Sequence, residues 1–121
     1  MEREQCNLLA NRDDVIDQML DQHRGLAILR LLHRSAEYRT NELILIDWLE
    51  ALALACSKGS LRELISRLER QGLLRTDCME RLLVAILTEA GADVALGRTT
   101  CDDVLRPKPE CRKRCLAITF C

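Results

Sequence analysis

The chain has 121 residues, 48% apolar, 31% charged and 2% aromatic, with a formal net charge of −1. That length suits one compact domain, and no apolar run approaches the roughly 18 residues of a membrane span. The near-neutral balance excludes a DNA coater that is basic all over, and three aromatics (Tyr38, Trp48, Phe120) are too few for base-stacking platforms.

Read by position, the charge is uneven. Residues 1–56 hold 6 Lys/Arg and 10 Asp/Glu, whereas residues 57–121 hold 12 and 9. An acidic half followed by a basic half suggests different partners for the two. Seven cysteines, an odd number, do not suit a disulfide scaffold. The charged N-terminus lacks a signal-peptide pattern, so the expectation is a cytoplasmic chain. Cys56 closes an apolar helical stretch and reads as core. Cys111 and Cys115 flank Arg112-Lys113-Arg114, but a single pair without a second pair or a nearby His makes no zinc site, and no metal or cofactor is expected.

Residues 1–11 carry little pattern and read as a frayed terminus. Asp13-Asp14 suit a helix start, and Val15, Ile16, Met19 and Leu20 follow at helical spacing. Beyond Gly25, the apolar face continues through Leu26, Leu29, Leu31 and Leu32 to Ser35, and Ala36–Arg39 reads as a turn. A second helix starts at Asn41 and carries a broad apolar stripe to Leu54, with Trp48 as a core or dimer contact.

After the break at Ser57-Lys58-Gly59, Ser60 and Glu63 match a capping box. Leu61, Leu64, Ile65 and Leu68 then form one face, and Gly72 supplies the stop, which predicts a three-turn amphipathic helix over 60–71. The period then changes: Leu73–Thr76 and Leu82–Leu87, separated by polar residues, predict a hairpin. Thr88 caps a short last helix that stops at Gly97, and Arg106-Pro107-Lys108-Pro109 ends regular structure.

Helix, helix, capped amphipathic helix, hairpin, helix is the order of a winged helix-turn-helix, here mainly α with a small β-hairpin and an extra N-terminal helix. In that architecture the third core helix enters a major groove and the hairpin touches the neighbouring backbone. The expected organisation is a frayed N-terminus over 1–11, the winged-helix domain over 12–100 and an irregular Cys-containing tail over 101–121.

Several stretches resemble small winged-helix proteins of Mu-like bacteriophages and prophages. They are Leu26–Leu32, Tyr38–Leu49 with its Tyr-x-x-Asn-Glu turn, Leu68–Leu74, and above all Val84–Arg98 followed by Arg106-Pro107. The resemblance covers about residues 20–109. Such proteins are commonly labelled as regulators of the arsenical-repressor type, which implies DNA binding. Metal-sensing members of that wider group carry Cys-x-Cys at the start of the recognition helix, whereas this helix has no Cys. The resemblance therefore implies a regulator without a metal-sensing site.

Between Ser57 and Arg75 there are five cations against Glu63 and Glu69. The candidate DNA-binding residues are Lys58, Ser60, Arg62, Ser66, Arg67, Arg70, Arg75 and Arg81. Arg62 and Arg67 are the leading base contacts, because arginine pairs bidentately with guanine and also holds phosphate. Glu63 and Glu69 oppose that charge, unless Glu63 accepts from a cytosine amine or pairs with Arg67 one turn on. No Gly-rich phosphate loop, nucleophile elbow or His-Glu-x-x-His pair occurs, so no enzyme is expected. The expected partners are double-stranded DNA and a second copy of the chain, joined through the apolar N-terminal helix, with no membrane. The alternative is a winged-helix adaptor that docks a phage or host protein, motivated by the acidic first half and Trp48.

Overall fold

The computed structural model describes residues 2–102 and 104–106, with side chains from Val15 onward. The first helix, α1, spans Glu2–Arg34. It starts well before Asp13, so residues 2–11, expected to fray, are helical in backbone. The stretch holds Glu, Gln, Arg, Leu and Ala, all strong helix formers, and neither Gly nor Pro. Gly25 does not interrupt the helix: it is buried, and tertiary packing outweighs its propensity cost of about 1 kcal/mol. Only the second half of α1 reaches the core, through Leu26, Ala27, Ile28, Leu29 and Leu32. Val15, Ile16 and Met19 remain about half exposed.

After Ser35, a 3-10 turn over Ala36–Tyr38 holds Glu37 and Tyr38 in the left-handed region, at φ 57° each. It feeds a strand that the sequence pattern does not show, β1, Arg39–Asn41. Three residues carry no readable period, and this strand exists only because it finds a partner across the chain. The second helix, α2, spans Glu42–Ala51, and its N-cap Asn41 accepts a hydrogen bond from the Ile44 amide at 3.0 Å. It stops three residues short of Leu54. Leu54 N–H donates to Leu49 O at 2.7 Å and Ala53 N–H to Glu50 O at 3.1 Å, with Ala53 at φ 61°. This is a Schellman stop built without glycine, so the sequence carries no signal for it.

The third helix, α3, spans Lys58–Arg70. It begins one turn earlier than the Ser60–Glu63 box implies, because Ser57 is the cap: its extended backbone lets the side chain accept from Ser60 N–H at 3.1 Å. Ser60 is thereby inside the first turn. Leu61, Leu64, Ile65 and Leu68 all point inward and are buried, and Gly72 at φ 79° ends the helix in a Schellman motif. The wing follows as β2, Leu74–Met79, and β3, Leu82–Leu87, paired antiparallel with Thr76 opposite Ala85. On its other side β3 pairs antiparallel with β1, Thr40 also opposite Ala85. The sheet therefore has three strands in the order β1-β3-β2 rather than the two of a bare hairpin.

The last helix, α4, spans Glu89–Ala95 and is capped by Thr88, whose hydroxyl accepts from Gly91 N–H and donates to Gly72 O. A Cβ on Gly91 would lie 1.9 Å from the Leu73 carbonyl oxygen, so no side chain fits where α4 crosses the link from α3 to β2. The start of the segment expected to be an irregular tail packs back on α1: Val104 is buried and Leu105 N–H donates to Gln22 O at 3.0 Å. Cys56, as expected, packs against the core. Cys111, Cys115 and Phe120 lie outside the described residues. No helix among the described residues is long and apolar enough to cross a membrane.

Candidate nucleic-acid interface

With Leu61, Leu64, Ile65 and Leu68 turned inward, 100° per residue places Gly59, Glu63, Ser66 and Arg70 along the outermost line of α3. All four are exposed. Two small residues in that line allow close approach of a flat surface, and Glu63 and Arg70 are the ionic groups at its centre. Lys58, Ser60, Arg62, Arg75 and Arg81 are exposed beside this ridge and along the wing, and Arg67 is half-buried on the flank facing α1.

The two expected base readers are both engaged inside the domain. Arg62 donates to Glu42 through Nε at 2.9 Å and Nη2 at 2.8 Å, a bidentate pair. The Glu42 side chain is fully buried, and its Oε2 also accepts from the Leu83 amide of the wing at 2.6 Å. Lys58 Nζ stands 3.9 Å from its Oε1. One carboxylate thus ties together the start of α2, the flank of α3 and the strand β3. The Arg62 hydrogen bonds outweigh the penalty of burial and hold the Glu42 carboxyl down at about 2, against an ordinary 4.5.

On the opposite flank, Arg67 Nη2 donates to Asp21 Oδ2 of α1 at 2.7 Å. Asp21 also accepts from Arg24 at 3.0 Å, and Arg24 donates in turn to the carbonyls of Leu54 and Ala55 between α2 and α3. Glu69, expected to face outward as an opposing charge, is turned to the wing: its carboxylate accepts from the Thr76 amide at 3.1 Å and from the Thr76 hydroxyl. Arg67 therefore pairs with Asp21 rather than with Glu63.

On α3 and the wing, the exposed charges outside any ion pair among the described residues are Arg70, Arg75 and Arg81, against Glu63, Glu69, Asp77 and Glu80. Sequence reasoning missed Glu42, Asp21 and Arg24. Glu42 reads as the polar first residue of an apolar helix, and nothing local marks it as the group that three elements share. Among the described residues, no three His, Cys, Asp or Glu side chains cluster as a metal site would require.

These elements define a winged helix-turn-helix: four helices with a small three-stranded antiparallel sheet. The fold is shared with two solved bacterial proteins. One is Sco3205, a MarR family transcriptional regulator from Streptomyces coelicolor solved in complex with DNA, with TM-score 0.51, 22% identity and coverage of 99% of this chain and 85% of that one. The other is ZitR of Lactococcus lactis, solved as a mutant in apo form, with TM-score 0.52, 17% identity and coverage of 99% and 79%. No protein-family model matches the chain. Over 95 residues, 78% of this chain and 98% of the relative, it is 36% identical to the uncharacterized protein gp26 of Escherichia phage Mu. The chain belongs to this phage protein family.

Proposed function

We propose that the chain is a small phage or prophage DNA-binding protein, a transcriptional regulator of winged-helix type that has no metal-sensing site and acts as a dimer in the cytoplasm. The observation that carries this reading is the outer face of α3 and the wing. A ridge of small and polar side chains (Gly59, Glu63, Ser66, Arg70) is flanked by Lys58, Ser60, Arg75 and Arg81, Glu42 and Asp21 are paired inside the domain, and Glu69 is held against Thr76 of the wing. That shape suits a major groove, and the arginines stand where phosphate contacts would fall. Arg62 and Arg67 are assigned a positioning role on this reading, since each orients α3 through a carboxylate. Glu63 is assigned to a cytosine amine, a base-edge donor that favours an acid at this position.

The test is fluorescence anisotropy on labelled promoter duplexes from the genome that encodes the chain, titrated over a salt series. Replacing Arg70 and Arg75 together by Ala should weaken binding on every duplex and lower the slope of log K against log salt by about 2, one unit for each lost phosphate contact. Equal, salt-independent binding by wild type and double variant would refute the reading.

A second reading, an adaptor that docks a phage or host protein, is favoured by one feature. Leu43 and Ile44 of α2 and Met79 at the wing tip are about half exposed, and Glu80 adds an acid to that tip. Retention of a protein partner by the Arg70/Arg75 variant, with no DNA bound by either form, would select it.

A further inference from the structure

A groove with an apolar floor runs between α1 and α2. It encloses about 510 Å³ and is lined by Leu26, Leu31, Trp48, Leu52, Leu54 and Leu105. Leu52 is 42% exposed. The indole Nε1 of Trp48 is buried with no hydrogen-bond acceptor among the described residues, whereas a buried indole N–H ordinarily finds one. Arg30 and Arg34, one turn apart on the rim, are exposed and outside any ion pair among the described residues. The groove therefore suits an occupant with apolar side chains and hydrogen-bond acceptors, and a peptide's own carbonyls are such acceptors.

The chain delivers a matching segment to this spot. Leu105, whose N–H donates to Gln22 O at 3.0 Å, is part of the lining, so the polypeptide leaves the described domain at the edge of the groove. In sequence, residues 107–114 are mostly polar, with Pro107, Pro109 and the basic run Arg112-Lys113-Arg114. They are followed by uncharged Cys115-Leu116-Ala117-Ile118-Thr119-Phe120. Leu116 stands ten residues past Arg106, and a tether of that length spans about 18 Å on average and about 33 Å at full stretch. Such a tether holds the segment near the groove at an effective concentration on the order of millimolar. The lengths agree as well. From His23 to Arg34 the groove runs about 16 Å along α1 at 1.5 Å per residue, and an extended stretch from 116 to 120 covers about 13 Å.

We propose that residues 116–120 dock in this groove of their own chain. In the extended form Leu116, Ile118 and Phe120 share one side, which covers Leu31, Trp48 and Leu52. The backbone carbonyls between them accept from Trp48 Nε1 and from the rim arginines. The same segment from a second copy competes at micromolar rather than millimolar concentration, so the tethered one wins. Arg112-Lys113-Arg114 carries the same sign as Arg30 and Arg34, so the docking is apolar and hydrogen-bonded, and salt favours it by screening that repulsion.

The experiment uses Trp48, the sole tryptophan of the chain, whose fluorescence and indole N–H resonance report on the groove alone. The full chain is compared as wild type, as Leu116→Asp/Phe120→Asp and as Phe120→Leu, which keeps the apolar contact. Far-UV circular dichroism checks that the helices are kept. The double variant should shift the emission to the red, raise quenching by acrylamide about twofold and speed exchange of the indole N–H, as the ring is uncovered. Phe120→Leu should stay close to wild type. The protection in wild type should be independent of protein concentration and should hold or rise with added salt. Identical emission and exchange in wild type and the double variant would overturn the proposal. Protection that grows with protein concentration would overturn it in favour of a second copy's segment. Protection that salt abolishes would overturn it in favour of an anionic occupant held by the arginines.

Discussion

Helix α3 is held on both flanks by an arginine paired with a carboxylate, but the two clasps sit in different surroundings. On the α2 and wing side, Glu42 is fully buried and saturated by Arg62, the Leu83 amide and the nearby Lys58. On the α1 side, the Asp21 and Arg67 side chains keep 27% and 38% of their exposure. The chemistry is the same and the consequences differ. A buried carboxylate has no water to fall back on if its partner leaves, whereas the half-exposed pair exchanges its contacts for solvent at little cost. The orientation of α3 relative to the wing should therefore depend on the first clasp far more than on the second.

The largest effect is expected from stranding Glu42. In Arg62→Ala the buried carboxylate keeps only the Leu83 amide and the more distant Lys58, and stability measured by urea denaturation should fall by about 3 kcal/mol. An unchanged midpoint would erase the contrast between the clasps.

Acid titration should separate them next. Because the Glu42 carboxyl is held at about 2 in the folded chain, below its ordinary 4.5, its contribution is complete above about pH 4.5 and is lost as the pH falls towards 2. The size of that loss is on the order of 3 kcal/mol, at 1.36 kcal/mol for each unit. Glu42→Gln should flatten the stability profile in this window, and a profile that stays parallel to wild type would show that another group carries the acid dependence.

The smallest effect belongs to the exposed clasp. Arg67→Ala should cost less than about 1 kcal/mol in thermal or urea denaturation, since Asp21 keeps Arg24, and high salt should shrink the difference further. A loss matching that of Arg62→Ala would place both clasps in one cooperative network.

How much of this was legible in the sequence follows from how local each signal is. The inward face of α3, the Gly72 stop, the Thr88 cap and the change of period into the wing all depend on residues a few positions apart, and they were readable. The end of α2 was not, because Ala53 occupies the left-handed position where glycine usually gives the stop away. The Ser60–Glu63 box pointed one turn too far along, since Ser57 had the extended backbone that a cap requires. The basic residues of the candidate site were all visible as charges. Their partners were not: Glu42 lies 20 residues from Arg62 and 41 from Leu83, and Asp21 lies 46 from Arg67.

The sequence by itself determined the order of elements, which faces are apolar, and the division into an acidic first half and a basic helix-and-wing second half, because periodicity, caps and composition act over one or two turns. Tertiary structure alone decided that β1 exists and that Arg62 and Arg67 hold α3 in place. Each of those outcomes is fixed by the pairing of groups far apart along the chain, and that pairing is specified only when burial brings them together.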